Sequence, residues 1–203
     1  MNSMRKNKRK IGIFGGSFNP IHLGHLIMAQ DAFEFFGLEK VLFIPCNLPP
    51  HKDTSRIAAP AHRLAMIAKA IRKNPAFELC DLEIKMGGEN YSIDTVRYLR
   101  GIYPKHELCF IIGSDSLLEL HKWKDINELL RLCRFVTVMR PGYELRNTDI
   151  YNLRKDVINV HLVDISSTDI RRRVAQGLSI RYLAPSSVAN HIVRQELYRQ
   201  DKL

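Results

Sequence analysis

The chain has 203 residues, 45% of them apolar and 26% charged, with a formal net charge of +10. That length suits one ordinary domain with a real core. Its apolar runs are strand-length and no hydrophobic segment follows the basic start, so neither a transmembrane span nor a secretory signal is expected.

Residues 1–9 include Arg5, Lys6, Lys8 and Arg9 and show no periodicity. They read as a disordered, solvated leader, which is preferred over a nucleic-acid-binding arm. Residues 10–203 read as a single domain whose C-terminal helical part spans about 164–203. Strands are predicted at 10–14, 41–46, 77–83, 107–112, 134–139 and 158–163. Helices are predicted at 23–36, 60–73, 91–102, 114–121, 125–131, 167–176 and 185–199. Pro60 suits a first helical turn and Gly177 a helix end. Val41 to Ile44, Leu108 to Ile112 and Phe135 to Met139 are continuous apolar runs, or nearly so, as in parallel strands buried on both faces. The alternation predicts an α/β, Rossmann-like doubly wound fold, with a mostly parallel sheet and helices on both faces. The four cysteines, Cys46, Cys80, Cys109 and Cys133, contain no Cys-x-x-Cys pair. Cys109 and Cys133, in or beside apolar runs, read as buried thiols, and for all four an unreactive role in a reducing cytoplasm is expected, rather than zinc-ribbon or thioredoxin chemistry.

Ligands of such folds bind beyond the carboxyl ends of the strands. Four polar segments follow predicted strand ends: Gly15 to His25, Pro49-Pro50-His51-Lys52, Gly113-Ser114-Asp115 and Ser166-Ser167-Thr168. The first combines a loop of little bulk, a helix start and two imidazoles, His22 and His25. Backbone N–H groups and the helix dipole there favour an anion, and a nucleoside triphosphate fits. Taken singly, His22 as a helix cap and His25 as a packed residue are equally good readings; Gly24 between them is expected to let a phosphate approach. In the last segment, a serine cap, free first-turn amides and Arg171 can meet one anion. Arg172 and Arg173 are read as solvated.

Gly15-Gly16-Ser17-Phe18-Asn19-Pro20-Ile21-His22-Leu23-Gly24-His25 and Ile165-Ser166-Ser167-Thr168-Asp169-Ile170-Arg171 resemble the paired signatures of the nucleotidyltransferase superfamily. Pro49-Pro50-His51-Lys52, Tyr91-Ser92-Ile93-Asp94-Thr95, Ile112-Gly113-Ser114-Asp115, Trp123-Lys124 and Arg181 to Pro185 extend the likeness from Lys10 onward. Within the superfamily the chain is most similar to the bacterial nicotinate mononucleotide adenylyltransferase family. The resemblance implies joining of ATP and nicotinate mononucleotide into nicotinate adenine dinucleotide, with release of pyrophosphate. Mg2+ would accompany ATP, held through phosphates and water, with no protein metal site. The expected partners are these two substrates, with no nucleic acid or membrane; a homo-oligomer is left open.

The resemblance also implies roles. Gly15, Gly16, Ser17 and Phe18 would surround ATP, with Gly113 and Asp115 at its ribose. Asp115 has capping of the next helix as an alternative or additional role. His22 and His25 would hold triphosphate oxygens. Ser167, Thr168 and Arg171 would clamp the β- and γ-phosphates, with Arg171 stabilising departing pyrophosphate. His51 and Lys52 would meet the mononucleotide phosphate and Thr95 would lie near the nicotinate carboxylate. Trp123 would stack on the pyridine ring, against the alternative of a core tryptophan. Pantetheine-phosphate adenylyltransferases and cytidylyltransferases share the first motif but lack the Trp123 context. Class I aminoacyl-tRNA synthetases need a lysine-rich second signature that is absent here. A non-catalytic nucleotide sensor or nucleic-acid binder would not need both histidines.

Overall fold

The computed structural model describes residues 8–47, 57–139, 156–158, 161 and 163–199. The leader through residue 7, Pro49-Pro50-His51-Lys52 and half of the predicted last strand (159, 160 and 162) lie outside them. Six strands form one parallel sheet in the order β3-β2-β1-β4-β5-β6. They are β1 (Lys10–Gly16), β2 (Lys40–Pro45), β3 (Phe77–Leu79), β4 (Glu107–Gly113), β5 (Arg134–Val138) and β6 (Val157–Ile158). Strand order reverses between β1 and β4, and the fold is the expected doubly wound one.

The side-chain alternation of each strand sorts the core into two layers. Phe14, Val41, Phe43, Cys109, Ile111 and Val136 face one apolar cluster, and Ile11, Ile13, Leu42, Ile44, Phe110 and Phe135 face the other. The first layer is covered by α1 (Leu23–Phe36), α2 (Pro60–Ile71), α7 (Ser167–Ala175) and α8 (Ser186–Arg194). The second is covered by α4 (Ser92–Ile102), α5 (Ser114–Leu118) and α6 (Ile126–Leu132). Gly12 gives β1 a close fit, since a Cβ there would stand 2.9 Å from Leu38 Cδ1 and would make that side chain shift.

Four boundaries differ from expectation. β1 runs through Gly15 and Gly16, which pair with Ile44 and Pro45 of β2, so the break expected after Phe14 falls after Gly16. The third strand stops at Leu79, and residues expected to extend it form the short helix α3 (Leu82–Met86). Gly87, at φ 67°, terminates that helix in a conformation glycine adopts without steric cost. The predicted helix at 114–121 is split into α5 and a 3-10 turn (Leu120–Lys122). The last helix ends at Arg194, after which Glu196 and Tyr198 take positive φ.

Candidate active site

The carboxyl ends of β1 and β4 open into a cavity of about 540 Å³. Gly15, Gly16, Ser17 and His25 line one part, Gly113 and Asp115 another, and Tyr91, Ser92, Trp123 and Lys124 a third. Seven of the expected site residues therefore share one space at the reversal of strand order: Gly15, Gly16, Ser17, His25, Gly113, Asp115 and Trp123.

The two histidines have different placements. His22 is buried and occupies the N-cap of α1. Its Nδ1 accepts from the His25 N–H at 3.4 Å, while His25 Nδ1 accepts from the His22 N–H at 3.2 Å. This reciprocal capping box satisfies orphan donors of the first turn. The two rings lie 3.6 Å apart at 30°. Because each Nδ1 is an acceptor, the hydrogen-bond network assigns the proton of each neutral imidazole to Nε2. The cap thus makes Nε2–H the donor of both rings. His25 lines the cavity and His22 supports it from behind. The capping and phosphate-facing readings of this pair are compatible.

Gly24 has a packing reason besides the expected access for a phosphate. A Cβ there would lie 3.0 Å from His22 Nδ1 and 3.1 Å from its Cε1. The missing side chain makes room for the His22 ring. Phe18 is likewise a core residue: it is 1% exposed and packs edge-on against Phe14 and His25 at 5.6 and 5.1 Å. Its side chain supports the histidine from within the core, which leaves only its backbone for any contact with ATP.

α7 docks on the loop that carries the histidines. Ser166 caps it, accepting from the Asp169 N–H at 3.1 Å. Ser167 Oγ donates to the Pro20 carbonyl at 2.8 Å. Arg171 donates to the Asn19 carbonyl at 2.8 Å and to Thr168 Oγ1 at 3.3 Å. A guanidinium far away in sequence is therefore hydrogen-bonded three residues before His22. Arg172 is exposed and pairs with Asp169, while Arg173 is half-buried and donates to the Ser179 carbonyl at 2.9 Å.

At the opposite end, Trp123 follows the 3-10 turn in an extended conformation. It lines the cavity and meets Phe110 and Phe135 edge-on at 5.5 and 5.9 Å. It is both a packed residue and a wall of the site. α4 begins beside it with no side-chain cap, so the first-turn N–H groups near Tyr91 and Ser92 point to the cavity end of the helix. Thr95 is 1% exposed and donates its hydroxyl to Glu83 Oε1 at 2.6 Å. Burial pushes the Glu83 carboxyl up from its usual range, and the Thr95 hydroxyl partly offsets that. The Thr95 side chain is thus committed to α3. Gly113 is the N-cap of α5, and Asp115 lies in its first turn rather than at the cap.

Sequence reasoning missed Glu83 and Arg63. Glu83 lines the cavity on α3, a helix whose stop signal was the pair Gly87-Gly88. Arg63 is 1% exposed and sits in α2 three and four residues before buried Met66 and Ile67. A charged residue in phase with an apolar stripe was the available signal. Its guanidinium donates to the carbonyls of Ala58, Ser17, Cys46 and Asn47 at 3.1, 3.1, 2.6 and 3.0 Å. Burial pulls it below its ordinary pKa range. No helix among the described residues is long and apolar enough to cross a membrane.

Comparison with known proteins agrees with this geometry. Residues 13–173 match the cytidylyltransferase-like family. A protein of Desulfitobacterium hafniense (strain Y51) named "Probable nicotinate-nucleotide adenylyltransferase" is 43% identical over 200 residues, covering 94% of this chain and 96% of its own. A protein of the same name from Opitutus terrae is 42% identical over 191 residues, covering 94% and 98%. Among solved structures, the Plasmodium falciparum nicotinic acid mononucleotide adenylyltransferase complexed with NaAD superposes with a TM-score of 0.78. It covers 94% of this chain and 97% of its own, and at 21% identity it speaks for the fold. With its sheet order, its paired motifs and this degree of identity, the chain belongs to the cytidylyltransferase-like family and, within it, to the nicotinate-nucleotide adenylyltransferases.

Proposed function

We propose that the protein transfers the adenylyl group of ATP to nicotinate mononucleotide, forming nicotinate adenine dinucleotide and pyrophosphate, a step of NAD biosynthesis. The observation that carries this reading is the single cavity at the reversal of strand order. It has a glycine-rich, histidine-bearing loop at one end and Trp123 beside an uncapped helix start at the other. The first end suits a polyphosphate, and the second suits an aromatic acid.

An oxygen of the mononucleotide phosphate forms the new bond to the α-phosphorus of ATP. The bond from that phosphorus to the bridging oxygen breaks, and its electron pair leaves with pyrophosphate. A phosphomonoester has its second pKa near ~6, so the nucleophile is already an oxyanion at neutral pH and needs no general base. The barrier lies in bringing two anions together and in charge growing on the leaving group. Fixed donors and positioning supply the catalysis.

His25 offers its Nε2–H to the α-phosphate region, and His22 sets that ring through the reciprocal cap. Gly15, Gly16 and Ser17, with the Phe18 backbone, border the triphosphate; Gly113 and Asp115 meet the ribose. Arg171, with Ser167 and Thr168, serves the β- and γ-phosphates and the departing pyrophosphate. Its bond to the Asn19 carbonyl supports this by holding α7 against the phosphate loop. Trp123 stacks on the pyridine ring. The committed Thr95 side chain favours the N–H groups at the start of α4 as donors to the carboxylate. A carboxylate wants donors only, whereas an amide also needs an acceptor. His51 and Lys52 keep their proposed role at the mononucleotide phosphate.

In this reading Mg2+ would be held by ATP phosphate oxygens and water rather than by protein side chains, and would supply charge neutralisation. Among the described residues no group of three or more His, Cys, Asp and Glu could hold a metal ion.

Pyrophosphate release from ATP with nicotinate mononucleotide, against the amide mononucleotide, tests the reading. The acid should be preferred. No turnover with either in the presence of Mg2+ would end the enzyme reading, and preference for the amide would overturn the substrate. His25→Ala should lower kcat about 100-fold, the scale of a lost preorganised donor; an unchanged kcat would remove its role.

A further inference from the structure

Arg63 binds the ends of two different loops. Its acceptors Ser17 and Cys46 both line the cavity, one just after β1 and the other just after β2. Asn47 and Ala58, its remaining acceptors, flank the segment that contains His51 and Lys52. Carbonyl groups satisfy the N–H donors but bring no full negative charge. Among the described residues, the ionisable groups that act on the guanidinium are the Cys46 thiol and the Tyr198 phenol. Among the described residues Arg63 forms no ion pair. A cation removed from water without a counter-anion is costly, and a residue of the apolar type that fills the rest of this stripe would avoid that cost.

The two loops that Arg63 joins are those assigned above to the two reacting phosphates. Resting on that reading, we propose that Arg63 is an electrostatic positioning residue. It holds the β1 and β2 loops together beneath the cavity, and its buried charge is offset by the polyphosphate that occupies the cavity. It acts through the loops and touches neither substrate.

Two variants separate the charge from the carbonyl ties. Arg63→Lys keeps the charge and loses the fork; Arg63→Gln keeps two donors and loses the charge. Both should melt lower than wild type without ligand, since both leave carbonyls unpaired. Saturating ATP alone should raise the melting temperature of wild type and R63K and raise that of R63Q much less. The ATP KM should stay within about threefold of wild type in R63K and rise about tenfold or more in R63Q, with kcat changing less than KM. Equal losses in the two variants would overturn the proposal, because carbonyl ties alone would then explain Arg63. If R63Q does not fold, R63K decides by itself: a tenfold rise in its ATP KM would refute a role for charge. A wild type that binds ATP but releases no pyrophosphate would count against the proposed reaction, while the ATP-dependent melting shifts would still judge Arg63.

Discussion

Gly24→Ala separates stability from catalysis. The glycine sits in the first turn of α1. Alanine there favours the helix by up to about 1 kcal/mol. The new Cβ would stand 3.0 Å from His22 Nδ1, with ordinary contact beginning near 3.4 Å, so the ring must retreat by some tenths of an ångström. The displaced Nδ1 is also the acceptor of a cap bond already 3.4 Å long, so the shift acts on the cap. Loss of an N-cap costs about 1 kcal/mol, which roughly cancels the gain in propensity. For a chain of this length the melting temperature should therefore move by less than about 3 °C. Activity has no such cancellation. A misplacement of about 1 Å can cost roughly 100-fold, so a shift of a few tenths passed to His25 should lower kcat about tenfold. Thermal melting and steady-state pyrophosphate release, run on the same preparation, give both numbers. Full kcat at an unchanged melting temperature would show that the His22 ring position does not matter, and the reasoning about the paired rings would fail.

Trp123→Ala should raise the mononucleotide KM about tenfold or more and leave the ATP KM little changed, on the scale of a lost aromatic stack; steady-state titration of each substrate checks this, and equal rises in both would place Trp123 in general packing. Cys109 and Cys133 are buried, and burial pushes both thiols up to about 12. A disulfide-exchange titration at pH 8 should find these two the last to react in the native state, both becoming reactive on denaturation; rapid native labelling of either would contradict their placement. Glu83→Gln should gain stability over wild type as pH rises from 5 to 8. The folded carboxyl is raised by burial, so wild type loses that contribution as pH climbs through its folded pKa, while glutamine does not titrate and can still accept from Thr95. Melting temperatures at the two pH values decide it, and a gain larger at pH 5 would reverse the sign.

Much of the site was legible because its chemistry depends on short local segments. The break from Phe14 into Gly15-Gly16, followed by His22 and His25, announced a strand, an anion-binding loop and a helix start. α1 spans 23–36 as predicted, whereas β1 runs on through Gly15 and Gly16 and the chain leaves the sheet only after them. Errors arose where distant contacts outweighed local preference. Cys80 to Met86 alternate apolar and charged residues as a strand would, yet Leu82–Met86 coil into α3, which carries Glu83 to Thr95 on α4. Only the packed structure shows that Gly24 also leaves space for the His22 imidazole. Arg63 was passed over because a lone arginine in a helix is usually solvated, and only the fold surrounds it with carbonyls from three chain segments.

The amino-acid sequence by itself determined the strand and helix alternation, the parallel sheet and the capped helix start that follows the first strand. Periodicity, glycine placement and cap chemistry act over a few residues and need no tertiary partner. Only the tertiary structure decided which groups meet: Arg171 with Asn19, Ser167 with Pro20, Arg63 with Ser17, and Trp123 with the cavity opposite His25. Such meetings are set by the packing of α7 and α2 on the sheet, and hydrogen bonds across more than forty residues leave no mark in local sequence.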